Sequence, residues 1–145
     1  MKIVLASDHG GYKLKEAVKQ ALSERQDIEL VDLGTNSEES VDYPIYGEAA
    51  AKYVAEGKAE RGIVFCGSGI GITMAANKTK GIRCANITSE EYAMLAAEHN
   101  HANIIAFGGR FVSPEDALHY IEVWLTTKEA GDRHARRVNE LDEML

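Results

Sequence analysis

Cysteine is scarce: Cys66 and Cys84 are the only two among 145 residues. Two thiols cannot form the disulfide framework of a small secreted domain, and both stand in strand-like runs, so a reducing cytoplasm is the expected compartment. An excess of positive charge is missing too. The formal net charge is −7, which argues against nucleic acid or an anionic membrane as partner of the surface as a whole. No apolar run approaches the ~20 residues that cross a bilayer, and the apolar part of residues 1–8 is too short for a secretory signal. The five histidines show no metal-ligand spacing with cysteine, so no metal is expected. Linkers, low-complexity segments and internal repeats are absent. What remains, 45% hydrophobic and 27% charged, is ordinary globular composition, and the length fits one domain over 1–145 that buries most of its apolar surface.

The apolar residues follow two periods. Short runs at 2–6, 28–33, 63–66, 82–87 and 103–107 read as buried strands. Between them, Leu14, Ala17, Val18, Ala21 and Leu22 share one helical face, and an alanine-rich segment over about 47–55 predicts a second helix. Thr88-Ser89-Glu90-Glu91 and Ser113-Pro114-Glu115 carry N-cap and acidic first-turn signals for two more. The inward side of the latter is expected at Leu118, Ile121, Trp124 and Leu125; a final helix from about 133 carries an apolar stripe of Val138, Leu141 and Leu145. Strands alternating with helices at this spacing imply βαβ units and a parallel sheet covered on both faces. The expected fold class is α/β: a three-layer α/β/α sandwich on a five-stranded parallel sheet, Rossmann-like in the broad sense.

At the centre stands Ile63-Val64-Phe65-Cys66-Gly67-Ser68-Gly69-Ile70-Gly71, a strand that ends at a cysteine, passes three alternating glycines and enters a segment of helical character. Glycines let a ligand approach backbone N–H groups closely, and a helix behind them adds orphan N–H groups and a positive dipole end. A thiol at the lip of such a cradle has its thiolate form favoured. Two readings stand: a nucleophile or base beside an oxyanion or phosphate pocket, or a tight turn with a buried cysteine. The loop lacks the G-x-G-x-x-G spacing of dinucleotide binders, and no Lys-Ser/Thr follows as in a P-loop. A Cys-x5-Arg thiol phosphatase needs arginine where this chain has Ile72.

In open parallel sheets ligands bind beyond the carboxyl ends of the strands. Four candidate groups fall there: Asp8-His9, Cys66-Gly67-Ser68, Asn86 and Arg110. Asp8 also suits a turn or a helix N-cap, while Cys84 reads as a small buried hydrophobe. His99-Asn100 follows the fourth helix and precedes the fifth strand, which places it toward the amino edge. A histidine there either caps its helix or completes a site in a neighbouring copy of the chain. Arg133 and Arg137, at i and i+4, make a phosphate clamp or a solvated face paired with Asp132 and Glu140.

Together with Val41-Asp42-Tyr43-Pro44, Ala75-Ala76-Asn77-Lys78, Gly81-Ile82-Arg83 and the run from Arg133-His134 to Arg137-Val138, these segments closely resemble one family over nearly the whole chain, in order. It is the sugar-phosphate isomerase family of type B ribose-5-phosphate isomerase and the galactose-6-phosphate isomerase subunits. The resemblance implies aldose–ketose isomerisation through a cis-enediolate, without metal or organic cofactor. Cys66 resembles the base that moves the proton between C2 and C1, Ser68 a hydroxyl-proton shuttle, and His99 the ring-opening acid. Gly67, Ser68, Gly69, Ile70 and Gly71 correspond to the enediolate-binding loop. Asp8 and His9 resemble residues that hold the substrate, Asn100 a substrate hydroxyl or enediolate contact, and Arg110, Arg133 and Arg137 phosphate and substrate contacts. Members without the cysteine use a glutamate at the position of Ile72.

Three small departures from the family pattern are Ser68 in place of threonine, His101 in place of aspartate and Asp132 in place of glycine. The resemblance also implies a homodimer or homotetramer with sites shared between subunits, the helix at about 133–145 packing at the interface. The expected reaction is interconversion of ribose 5-phosphate and ribulose 5-phosphate in the pentose phosphate pathway. The alternatives are a six-carbon allose or galactose 6-phosphate, or a non-catalytic sugar-phosphate sensor.

Overall fold

The computed structural model describes residues 1–145. Five strands, β1 (Lys2–Ser7), β2 (Glu29–Asp32), β3 (Arg61–Cys66), β4 (Cys84–Asn86) and β5 (Ile104–Gly108), form one sheet in the order β2-β1-β3-β5-β4. Every pairing is parallel. Six helices accompany them: α1 (Tyr12–Leu22), α2 (Tyr43–Ala55), α3 (Ile70–Ala76), α4 (Glu90–Glu98), α5 (Pro114–Thr126) and α6 (Arg133–Asp142). The period-two alternation of the strands divides the core. Ile3, Leu5, Ile63, Phe65, Ile105 and Phe107 face α1, α4 and α5; Val4, Ala6, Val64, Cys66, Ile104 and Ala106 face α2 and α3. The three-layer α/β/α sandwich with a five-stranded parallel sheet is the architecture observed.

Several element ends differ from the sequence reading, each for a local reason. Helix α2 begins at Tyr43 rather than near 47, because Pro44 sits in its first turn, where a missing N–H costs nothing. Strand β4 is three residues rather than six. The Cys84 amide is taken by Asn77 Oδ1 at 2.7 Å and the Arg83 amide by Asn103 Oδ1 at 2.8 Å, so side chains satisfy donors that a longer edge strand would leave open. On α5 the fully buried residues are Ala117, Ile121 and Trp124, while Leu118 and Leu125 are half-buried. Of the stripe on the last helix only Val138 is buried; Leu141 and Leu145 are exposed.

Lys15 breaks the polarity pattern. It lies on the inward face of α1 with a wholly buried side chain, and its Nζ donates to Asp32 at 2.7 and 2.8 Å and to Glu16 at 3.1 Å. Lys19 donates to the same Asp32 carboxylate at 2.8 Å, and so does the Gly34 amide at 2.9 Å. Gly34 O in turn accepts the Ser7 amide at 2.6 Å, and Ser7 O accepts the Thr35 amide at 2.7 Å. The ion cluster therefore fixes the backbone just before Asp8. Burial pushes the Asp32 carboxyl up, but the hydrogen bonds from Lys15, Lys19 and Gly34 outweigh it and hold the group below its ordinary value of 3.8. A depressed carboxyl stabilises the fold above its unfolded pKa and loses that contribution as pH falls through the folded one. Asp32→Ala should therefore cost about 3 kcal/mol at pH 7, since it strands a buried ammonium. In urea unfolding the deficit against the wild type should shrink as pH falls below the ordinary carboxylate range and the wild-type carboxyl is protonated as well; a deficit independent of pH would contradict the assignment.

Candidate active site

From β1 the chain turns to β2 on one side and then passes to β3 on the other. The carboxyl ends of β1 and β3 thus flank the switch point where open α/β sheets hold ligands. Three glycine turns meet there. A Cβ on Gly11 would lie 2.5 Å from Phe65, one on Gly108 2.5 Å from Ser68 O, and one on Gly109 2.5 Å from Gly10 O. Only residues without a side chain allow these backbones to approach so closely.

Cys66 ends β3 at the centre of this arrangement. The sequence places its thiol at the lip of the loop, whereas the structure covers it: the residue is 4% exposed, on the α2–α3 face with Val64 and Ile72. Strand alternation dictates that side. The sulfur is nevertheless turned toward the loop, because Sγ accepts the Gly69 amide at 3.1 Å. Cys84, on the same side of the sheet, has no such contact with the loop, and burial pushes its thiol up to about 12, so it stays protonated.

The loop amides are divided between internal and open use. Sequence reasoning treats the whole run Gly67 to Gly71 as a set of donors. In the structure the Gly69 amide is spent on Cys66 and the Ile70 amide on Ser68 Oγ at 3.1 Å. The amides of Gly67, Ser68, Gly71 and Ile72 donate to no protein group. Consecutive unpartnered amides in a turn make a concavity for an anion or a developing oxyanion. Gly69 itself needs its φ of +83°, and its α hydrogens face Asn86.

Other side chains ring the loop. Arg110 lays its guanidinium over Gly67, where a Cβ would sit 2.9 Å from Nη1, and no carboxylate lies within ion-pair distance of it. Asp8 is buried and accepts the Gly11 amide at 3.1 Å, a turn lock rather than a helix cap. His9 accepts the Val41 amide at Nδ1, 3.1 Å away. A nitrogen that accepts carries no proton, so Nε2 is the donor of the neutral ring. Tyr43, which sequence reasoning passed over, packs its ring against Gly71; its place in the Asp42-Tyr43-Pro44 segment beside a helix start is the signal that could have marked it.

His99, Asn100, Arg133 and Arg137 lie elsewhere. His99 caps the C-terminus of α4, before β5 begins, whereas Cys66 pairs with Gly108 at the end of β5. Four residues of parallel strand separate those levels by about 13 Å. The amino-edge position expected of His99 is the one observed. Asn100 is exposed in the groove between α4 and β4. Ala130 N donates to Glu98 O at 2.9 Å and Ala130 O meets His101 Nε2 at 2.8 Å. Those bonds bring the start of α6 to His99. Arg133 and Arg137 are exposed and have no carboxylate partner, so the pairing with Asp132 and Glu140 weighed from the sequence is not formed. The candidate residues therefore fall into two separate groups in one chain: Asp8, His9, Cys66–Gly71 and Arg110 at the carboxyl edge, and His99, Asn100, Arg133 and Arg137 at the amino edge.

No three His, Cys, Asp or Glu side chains are grouped to hold a metal ion, and no helix is long and apolar enough to cross a membrane. Fold and crevice together define the class: an open parallel-sheet α/β protein with a glycine loop of unpartnered amides at its switch point. The family model described as Ribose/Galactose Isomerase matches residues 3–141. Ribose-5-phosphate isomerase B of Escherichia coli is 43% identical over 141 residues, 97% of this chain and 93% of that protein. The crystal structure of a ribose 5-phosphate isomerase from Thermotoga maritima superposes with a TM-score of 0.95 at 43% identity, covering 99% of this chain and 98% of that one. Ribose-5-phosphate isomerase B from Mycoplasma genitalium, solved with bound ribulose-5-phosphate, gives a TM-score of 0.92 at 35% identity over 98% and 94% of the two chains. The chain belongs to the ribose/galactose isomerase family, and like the family's sugar-phosphate isomerases it is an enzyme.

The glycine contacts separate binding from folding. In Gly67→Ala the new methyl meets only the far end of Arg110, which can swing aside, so thermal stability should change by less than ~1 kcal/mol while protection by added phosphate weakens. In Gly108→Ala the methyl meets the Ser68 backbone, and the melting temperature should drop by several degrees. Equal melting temperatures for the two variants would show that the turns are not packed as described.

Proposed function

We propose that the enzyme interconverts ribose 5-phosphate and ribulose 5-phosphate through a cis-enediolate, with Cys66 as the base. The observation that carries this reading is the division of the loop: the Cys66 sulfur points at an amide of the same turn whose neighbouring amides, at Gly67, Ser68, Gly71 and Ile72, are unpartnered. A base needs its lone pair beside the reacting carbon, and an enediolate needs donors where its oxygens gather charge. Cys66 takes the C2 proton of the open-chain aldose as thiolate, and the electron pair passes into the enediolate held by the free amides. Ser68 relays the hydroxyl proton between O2 and O1, and Cys66 returns its proton to C1. Asp8 and His9 hold the sugar, His9 as an Nε2–H donor; Arg110 holds substrate beside Gly67. The relative from Mycoplasma genitalium, crystallised with the five-carbon ketose phosphate, supports that chain length.

The other half-site requires a second copy. His99 as ring-opening acid, Asn100 as a hydroxyl or enediolate contact, and Arg133 with Arg137 as phosphate clamp all sit at the amino edge, roughly 13 Å of strand from the thiol of their own chain. A homodimer, or a homotetramer built from it, in which each chain lends this edge to its partner's loop completes two sites at once. Beside β4 a groove of about 670 Å³, carrying Met74, Leu141, Met144 and Leu145, offers apolar surface for that assembly, with the helix at 133–145 on its rim. No metal or organic cofactor is assigned, and a cytoplasmic location suits the two unpaired cysteines.

Cys66→Ala should lose turnover by ~10²-fold or more with sugar-phosphate binding largely kept, read as exchange of the C2 proton with solvent by NMR. Binding without any exchange in the wild type would instead mark a sensor. Mixing Cys66→Ala with His99→Asn protein should restore part of the activity; no recovery after confirmed subunit exchange would mean that each site is built from one chain. A higher kcat/KM for allose or galactose 6-phosphate than for ribose 5-phosphate would overturn the five-carbon assignment.

A further inference from the structure

The imidazoles of His99 and His134 are stacked, with ring centroids 4.1 Å apart and planes 8° from parallel. Two elements distant in sequence are needed to make this pair, the end of α4 and the first turn of α6. The Glu98–Ala130 and Ala130–His101 hydrogen bonds hold those elements together. We propose that His134 is a positioning residue for His99: its ring is the neutral platform on which the His99 imidazole is held, leaving the proton of the pair on His99. This rests on the reading of His99 as the acid of the amino-edge half-site.

The surrounding charges assign the proton. On the α4 side, Glu98 Oε1 lies 3.3 Å from His99 Nε2, a contact that favours the imidazolium. On the α6 side His134 has Arg133 and Arg137 beside it. Partial burial, then the charges of His99, Arg133 and Arg137, push His134 below its ordinary value, against the opposing pull of Glu98. His101, the remaining histidine nearby, is occupied by Ala130 O and, at 3.9 Å, by Glu129. A neutral aromatic face under a cationic ring is attractive, whereas two stacked imidazolium rings would repel. Among the residues in contact with it, His134 is therefore the one that must stay uncharged for His99 to carry a proton at neutral pH.

The test is an NMR titration of the histidine ring carbons in the intact oligomer, without substrate. In the wild type His99 should protonate at higher pH than His134. His134→Ala should lower the His99 midpoint by about half a unit, and His134→Phe, which keeps the face but cannot protonate, should restore it. Turnover at pH 7 should follow the same order, with the phenylalanine variant recovering most of what alanine loses. His134 protonating first, or a His99 midpoint that is unchanged or rises in His134→Ala, overturns the proposal. Because the titration needs no turnover, it stands apart from the isomerase assignment. If the midpoints behave as stated but activity does not follow, the role of His99 as acid is what fails.

Discussion

Contact between bare backbones at the carboxyl edge is the constraint on which the rest of the structure depends. Gly10, Gly67, Ser68, Gly108 and Gly109 meet with main-chain atoms where side chains would ordinarily intervene. Two hydrogen bonds extend the β3–β5 ladder into that meeting, from Gly109 N to Cys66 O at 2.8 Å and from Arg110 N to Gly67 O at 3.1 Å. Because those carbonyls are used, the amides of the turn face outward and stay open. The same bonds set where Arg110 begins and so place its guanidinium over Gly67. Donor array and cation are thus products of one packing event, and a methyl group in the wrong glycine removes both.

This edge is supported from behind by an unusual use of charge. Replacing a buried ion pair with apolar groups of similar volume is often neutral or better for stability, so the Lys15–Asp32–Lys19 cluster is not explained by stability alone. Its geometric consequence is specific: Asp32 also binds the Gly34 amide, and Gly34 with Thr35 brackets Ser7. An apolar core could fill the same volume, but it could not fix the direction in which the chain leaves β1 toward Asp8.

Much of this was legible in the sequence, and the misses share a cause. Strands declared themselves through short continuous apolar runs, because β1, β3 and β5 are buried on both faces, and Ser89 and Ser113 cap as expected, accepting the Tyr92 and Asp116 amides at 3.1 Å. The glycine loop was legible as a sharp turn from strand to helix. Its internal economy was not, since only coordinates show that Cys66 and Ser68 each consume an amide. Lys15 shares the inward face of α1 with Val18 and Leu22, yet its residue type reads as surface, because the carboxylate that lets it be buried lies 17 positions away on another element. Leu141 and Leu145 read as core because they fit a stripe, yet nothing within one chain covers them. His134 was hidden among three arginines; only the stack with His99 distinguishes it from a solvated neighbour.

The distribution of paired and unpaired cations bears on the two groups of candidate residues. On a chain of net charge −7, Lys2, Lys13, Lys15, Lys19, Arg25, Lys52, Lys58 and Arg83 each have a carboxylate within 4 Å. The other eight, Arg110, Arg133 and Arg137 among them, do not, although acidic residues are plentiful. Arg133 also opens a helix, where positive charge opposes the dipole. Exposed and solvated, these guanidinium groups stay free to meet an anion. A phosphorylated sugar is such an anion, but its phosphate and its C2 lie only a few ångströms apart, whereas the arginines of α6 and the thiol of the same chain are separated by the depth of the sheet. In the proposed homodimer, two chains facing each other would close that distance with no change in either fold, and the unpaired Arg110, Arg133 and Arg137 would then meet around one phosphorylated sugar.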